Sequence, residues 1–81
     1  MSVTFEDVES ARARVGTLIR RTPCVPAGNL ARTYGMNLWL KLETLQVSGS
    51  FKGRGAANKL LSLPIRDQRR GVVTASAGNH A

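Results

Sequence analysis

The sequence has few of the residues that build metal sites or cross-link small proteins. Cys24 is the only cysteine and His80 the only histidine among 81 residues, which excludes an internal disulfide and a zinc site of the usual cysteine and histidine kind. No apolar run approaches the roughly 20 residues that span a bilayer, and the segment 1–7 lacks the basic and apolar parts of a secretory signal. These absences predict a cytoplasmic protein with no membrane partner and no metal.

Acidic residues are also scarce, with 5 against 12 lysines and arginines and a net charge of +7. Such a surplus alone is typical of proteins that bind polyanions. The aromatic residues are few and scattered, however, and make no platform for stacking bases; they are Phe5, Tyr34, Trp39 and Phe51. We therefore expect no nucleic-acid binding. A small basic protein that uses residues 46–70 on nucleic acid is the alternative from another class.

The length is below the roughly 100–200 residues of an ordinary domain. The sequence also stops at Asn79-His80-Ala81 without a polar tail. We expect residues 1–81 to form a single incomplete domain.

Local signals predict two helices in the first half of the chain. Thr4 followed by Asp7 resembles a capping box, and apolar residues then recur at helical spacing; these are Val8, Ala11, Val15, Leu18 and Ile19. The pattern predicts an amphipathic helix of roughly four turns that ends before Arg20. Pro23, Pro26 and Gly28 indicate an irregular link, and a short helix over 29–34, stopped by Gly35, is expected after it.

The second half predicts an α/β arrangement. Residues 38–43 alternate as a strand does, 51–63 are compatible with a helix, and 72–75 form a short apolar strand. This order indicates a βαβ unit with parallel strands. Ligands of open α/β sheets bind where the strands end, so the loops 44–50 and 76–79 should face one cleft.

The densest small-residue segment surrounds one lysine. It reads Ser48-Gly-Ser-Phe-Lys-Gly-Arg-Gly-Ala56 and places Lys52 in the first turn of the predicted helix. The positive end of the helix dipole disfavours an ammonium ion there, and imine chemistry requires a neutral amine. From spacing alone, a helix capped by Ser50 with Lys52 solvated is the favoured interpretation, since helix caps are common.

A second segment, Ser76-Ala-Gly-Asn-His80, follows the predicted strand 72–75. Backbone N–H groups of such a turn can bind an anion, and the amide of Asn79 both donates and accepts hydrogen bonds. A plain turn between strand and helix fits the spacing as well. His80 is not a candidate acid or base.

Two motifs together resemble a known family. Glu43-Thr-Leu-Gln-Val-Ser-Gly-Ser-Phe-Lys-Gly-Arg-Gly-Ala56 resembles the cofactor attachment motif of the pyridoxal-phosphate-dependent serine/threonine dehydratases, and Thr74-Ala-Ser-Ala-Gly-Asn-His-Ala81 resembles their asparagine loop. Arg21-Thr-Pro23 and Leu38-Trp-Leu-Lys-Leu-Glu43 also resemble family segments. The resemblance implies the N-terminal portion of the tryptophan-synthase-β-like fold, fold-type II, here an α/β domain with a parallel βαβ unit preceded by an amphipathic helix.

The resemblance also implies roles for single residues. Lys52 matches the lysine that binds pyridoxal 5'-phosphate through an imine and later moves the Cα proton, and Phe51 matches the aromatic residue beside it. Asn79 matches the asparagine that bonds the ring hydroxyl oxygen of the cofactor.

The asparagine loop is implied to receive the substrate carboxylate. Ser76 and the backbone of Ala77, Gly78 and Asn79 match it. In the similar serine racemases, a serine directly after the position of Ser76 is the second acid or base. This chain has Ala77 there, which favours elimination over racemisation.

The implied activity is the α,β-elimination of threonine or serine to a 2-oxo acid and ammonia, in an enzyme expected to be a homo-oligomer. Cysteine and threonine synthases resemble the chain less, because their motifs usually have Asp where Gly53 stands. Hydroxyaspartate ammonia-lyases and serine-racemase-like enzymes remain alternatives. The phosphate-binding loop and the partner of the pyridine nitrogen are expected after residue 81, so residues 1–81 alone should be inactive.

Overall fold

The computed structural model describes residues 2–80. Within that range the helices are α1 (Phe5–Val15), α2 (Asn29–Tyr34), α3 (Lys52–Ser62) and α4 (Ile65–Arg70), and the strands are β1 (Cys24–Pro26) and β2 (Trp39–Lys41). Short 3-10 turns cover Gly16–Leu18 and Glu43–Leu45. No helix of this range is long and apolar enough to cross a membrane.

Helix α1 begins with the predicted capping box. The Asp7 N–H donates to Thr4 Oγ1 at 3.1 Å, and the Thr4 N–H donates to Asp7 Oδ2 at 2.9 Å. The helix ends at Val15, a turn earlier than predicted, because Gly16 takes a φ of 49° that leaves the helical region. The predicted helix over Asn29–Tyr34 is confirmed, and it ends at Gly35 in the left-handed conformation.

The strand pairing differs from the prediction. Strand β2 lies within the predicted 38–43 but pairs antiparallel with β1, with Val25 opposite Leu40, whereas residues 23–28 were expected to be an irregular link. Residues 72–75 form no strand, and Val73 is fully exposed. The parallel βαβ unit is therefore absent among the described residues. A parallel strand needs apolar cover on both faces, and the described residues provide none at Val73.

Helix α3 confirms the predicted helix 51–63 to within one residue at each end. Helix α4 was not predicted; it starts directly after Pro64, where the Asp67 N–H donates to the Pro64 carbonyl at 2.9 Å. Mixed helices and strands thus agree with an incomplete α/β domain, although the strand partners are not those expected.

The interior is small and largely polar. Val15, 7% exposed, is the buried apolar side chain of the described residues, while Thr22 and Gln46 are buried polar side chains. Gln46 joins two distant segments, since its Oε1 accepts from the Arg20 N–H at 2.6 Å and its Nε2 donates to the Arg20 carbonyl at 3.0 Å. Specific hydrogen bonds, more than apolar burial, therefore hold the segments around residues 20 and 46 together.

An ion pair extends this cluster to the start of α3. The Arg54 Nε donates to Glu43 Oε2 at 2.7 Å and Nη2 donates to Glu43 Oε1 at 3.1 Å. The Thr22 hydroxyl also donates to Glu43 Oε1. These bonds favour the carboxylate form, and the hydrogen bond from Arg54 is the largest cause that lowers the pKa of Glu43 to about 2. We call Arg20, Thr22, Glu43, Gln46 and Arg54 the Glu43 network.

A separate contact holds the middle of α3. The Arg14 Nη1 on α1 donates to Asn58 Oδ1 on α3 at 2.6 Å, and the two helices pack against each other. Helix α3 is thus attached at its first turn through the Glu43 network and one turn later through α1.

The Glu43 network should make the stability of the chain depend on acid pH. Because folding lowers the pKa of Glu43 from 4.5 to about 2, its contribution is complete above about pH 4.5 and is lost as pH falls toward 2. We expect the melting temperature to fall over this window, and Glu43→Gln to reduce the fall. We expect Glu43→Gln to remove only part of the fall in melting temperature, because Asp7 contributes to it as well: the hydrogen bond from the Thr4 backbone lowers the pKa of Asp7 in the folded chain.

Glu9→Gln is the matched control for this measurement. Glu9 forms an exposed pair with Arg12 at 3.8 Å, and such pairs contribute little to stability. An acid-induced fall that is the same in Glu43→Gln and in the unmodified chain would contradict the importance of Glu43.

Candidate active site

Lys52 is the first residue of α3, and its side chain is exposed. Gly49 turns the preceding loop with a φ of 75°, and the Lys52 N–H donates to Ser50 Oγ at 3.3 Å. The exposed lysine of the alternative interpretation is thus confirmed, whereas the cap by Ser50 is not, because the N-cap of α3 is Phe51 and makes no side-chain cap hydrogen bond. The exposure of Lys52 does not exclude a chemical role, since an exposed amine at a helix start is accessible to a ligand.

Phe51 lies beside Lys52, as the motif predicts. The Lys52 Nζ is 5.2 Å from the centroid of the Phe51 ring, a distance typical of cation–π contacts. The ring itself is 61% exposed. Among residues 2–80 the ammonium group has no carboxylate partner. An amine and an apolar ring surface are therefore both available at one position.

The segment Ser76–Asn79 is an exposed turn. The Gly78 N–H donates to Ser76 Oγ at 3.1 Å, a local bond that a serine in a turn commonly forms. Ala77 and Asn79 are exposed as well, and so is His80. Exposed residues suit an anion-binding loop, whose backbone N–H groups must reach the ligand, although the Gly78 N–H here bonds to Ser76.

The structure does not bring Lys52 and the segment Ser76–Asn79 into one cavity. A cavity of about 650 Å³ lies between α1 and α3, and a smaller one of about 160 Å³ lies beside Val47. Neither is lined by Lys52 or by Ser76–Asn79. Because the strand 72–75 is not formed, nothing directs the second loop toward the first, and their convergence stays a prediction.

The Glu43 network is the part of the site that sequence reasoning missed. The motif contains both Glu43 and Arg54, but no contact between them was expected. A signal was available, since Glu43 is the only acidic residue between Glu9 and Asp67 and lies in a strongly basic stretch. Such an isolated carboxylate has many possible cationic partners, and the motif contains two of them, Lys52 and Arg54. Among residues 2–80 no group of three histidine, cysteine or acidic side chains could hold a metal ion.

Comparisons with known proteins agree with the motifs. The chain is 44% identical over 80 residues to the catabolic L-threonine dehydratase of Staphylococcus aureus, a match that covers 98% of this chain and 23% of that protein. It is 43% identical over 79 residues to the L-threonine ammonia-lyase of Thermotoga maritima, covering 98% of this chain and 20% of that enzyme. The chain thus spans about a quarter of the length of these curated relatives or less.

No solved structure matches the chain. The sequence profile described as "Pyridoxal-phosphate dependent enzyme" matches residues 15–81, which include both Lys52 and the segment Ser76–Asn79. The chain belongs to this family of pyridoxal-phosphate-dependent enzymes, the fold-type II class that its motifs predict.

Proposed function

We propose that the chain is the N-terminal part of a threonine/serine dehydratase that eliminates the β-hydroxyl of the amino acid to give a 2-oxo acid and ammonia. The observation that carries the proposal is Lys52, an exposed lysine at the start of α3, within a chain that is 44% identical to a threonine dehydratase over nearly its whole length. The loop Ser76–Asn79 would bind the substrate carboxylate.

The described residues offer partners for the aldehyde and the ring of pyridoxal 5'-phosphate, the cofactor of the family. The aldehyde of pyridoxal 5'-phosphate needs an accessible primary amine, which Lys52 offers, and the pyridine ring needs an apolar neighbour, which Phe51 offers. The amide of Asn79 suits the ring hydroxyl oxygen because it can donate a hydrogen bond. When bound, the cofactor supplies the electron withdrawal that makes the Cα proton acidic.

The residues of the chain then have separate tasks. Lys52 would hold the cofactor covalently, be released when the amino acid takes its place, and accept the Cα proton at its Nζ. Ser76 and the N–H groups of Ala77 to Asn79 would hold the carboxylate and so fix which face of Cα meets Lys52. The Cα proton held by Lys52 and the β-hydroxyl would leave together as water, and the enamine product would take up water to give the 2-oxo acid and ammonia.

The proposal also includes the substrate, the cellular location and the assembly of the whole enzyme. Threonine is favoured as substrate because both similar enzymes are named for it, with serine next; elimination from hydroxyaspartate or a serine-racemase-like reaction are the alternatives within the family. We propose that the whole enzyme acts in the cytoplasm as a homo-oligomer on small amino acids and does not bind nucleic acid.

Covalent trapping tests the role of Lys52. Borohydride reduction of the full-length protein with its cofactor, followed by peptide mapping, should place the cofactor on Lys52. Lys59 is the matched control, since it is an exposed lysine of the same helix. Lys52→Ala should remove the label and lower activity by at least about 10²-fold, the loss typical of a missing acid–base group. Label on Lys59 or Lys41 would contradict the assignment.

Alanine variants test the asparagine loop. Ser76→Ala and Asn79→Ala change exposed turn residues, so we expect at most about 0.5 kcal/mol of lost stability. Dehydratase activity of the full-length enzyme should fall much further, because the carboxylate and the cofactor ring lose their partners. Ser62→Ala, an exposed serine at the end of α3, is the control and should keep full activity. A loss of stability that explains the whole loss of activity would show a structural role instead.

The reaction products test the role of Ala77. Inversion at Cα needs a second proton donor opposite Lys52, and the methyl group of Ala77 cannot act as one. The full-length enzyme given L-serine should therefore form 2-oxo acid with little D-serine, measured by separating the enantiomers. Ala77→Ser should increase D-serine. D-serine formed by the unmodified enzyme at a rate that rivals elimination would refute the argument.

A further inference from the structure

The first turn of α3 directs three successive residues to three different surroundings. Lys52 is exposed, whereas the backbone of Gly53 lies so close to the preceding loop that an added Cβ would be 2.9 Å from Ser48 Oγ. Arg54 points to Glu43. Since each helical residue turns by about 100°, Lys52 and Arg54 lie about 200° apart. The direction of the lysine therefore depends on what holds the arginine.

Arg54 is held by geometry as well as by charge. Its Nε and Nη2 bind the two oxygens of Glu43 side by side, at 2.7 and 3.1 Å, and Nη2 also donates to the Arg20 carbonyl and to Thr22 Oγ1 at 3.4 Å. A planar guanidinium bound in this way is fixed in rotation, which a lysine ammonium at the same place would not be.

Glu43, which accepts the hydrogen bonds of Arg54, is itself connected to the residues next to the two-stranded sheet. Thr22, 5% exposed, donates to Glu43, and its carbonyl accepts from the Lys41 Nζ at 2.5 Å. Directly beside them, the Leu42 N–H donates to the Pro23 carbonyl at 2.9 Å. Rotation of α3 about its axis would therefore have to break the contacts of Arg54 to the residues that precede β1 and follow β2, which lie together at one end of the sheet.

We propose that Arg54 is a positioning residue for Lys52: its bidentate pair with Glu43 sets the rotation of α3 that turns the Lys52 amine toward the ligand. The proposal rests on the proposed role of Lys52 as the cofactor lysine. Arg54 does not touch substrate or cofactor in it. The N-cap of α3, Phe51, makes no side-chain cap hydrogen bond, and the Lys52 N–H reaches Ser50 Oγ only at 3.3 Å, so the first turn would fray more readily without Arg54.

The test compares Arg54→Lys with Asn58→Ala in the full-length enzyme. Arg54→Lys keeps the charge but loses the planar fork, and we expect kcat to fall by about 10- to 100-fold, as for a misplaced catalytic group, with KM for threonine within about twofold. Asn58→Ala removes the 2.6 Å bond from Arg14 on the same helix. It should lower the melting temperature while kcat stays unchanged.

Hydrogen exchange gives a second readout that needs neither cofactor nor activity. The amides of residues 55 and 56, the first that can bond within α3, should exchange at least about 10-fold faster in Arg54→Lys, and those of residues 59–62 should be unchanged. Normal kcat or unchanged exchange in Arg54→Lys, or an equal loss of kcat in Asn58→Ala, would overturn the proposal. An unmodified enzyme without dehydratase activity would instead refute the proposed function, and hydrogen exchange would then decide alone whether Arg54 fixes the turn.

Discussion

The bidentate pair of Glu43 and Arg54 is the contact on which the arrangement of the described residues depends. With Val15 as the buried apolar side chain, apolar burial alone cannot align segments that are far apart in sequence. The pair joins the turn after β2 to the first turn of α3, and Thr22 extends the connection to the segment before β1. Since the Arg54 side chain remains 39% exposed, the guanidinium keeps part of its hydration, which limits the desolvation cost of such a pair.

The sequence allowed good predictions wherever structure is decided by neighbouring residues. The capping box at Thr4, the left-handed stop at Gly35 and the start of α3 at Lys52 each depend on side chains or backbone angles within a few positions. The misjudged end of α1 has the same origin. Apolar spacing continues beyond Val15, but the backbone freedom of Gly16 ends the helix before that spacing does.

Pairing between distant segments was not predictable in the same way. The alternation of 38–43 indicates a strand, but it does not say whether the partner comes from before or after it in the chain. Cys24–Pro26 is the observed partner, although Pro26 and the preceding Pro23 suggested an irregular link. Val72 and Val73 have the composition of a buried strand, but burial requires other elements that pack on both of its faces. Periodicity describes one element, whereas pairing depends on all of them.

The candidate site shows the same contrast between what a local pattern predicts and what depends on a distant partner, here within a single motif. A lysine among small residues is recognisable from sequence because its chemistry belongs to one side chain. The reason that it faces outward lies two residues later, in an arginine whose partner is 11 positions before it in the chain. Residues two positions apart lie on nearly opposite faces of a helix. Because Arg54 is held against Glu43, Lys52 lies on the face directed away from Glu43. In the proposed function, the motif would thus combine the cofactor lysine and its anchor within one helical turn, and the contact to Glu43 identifies Arg54 as the anchor.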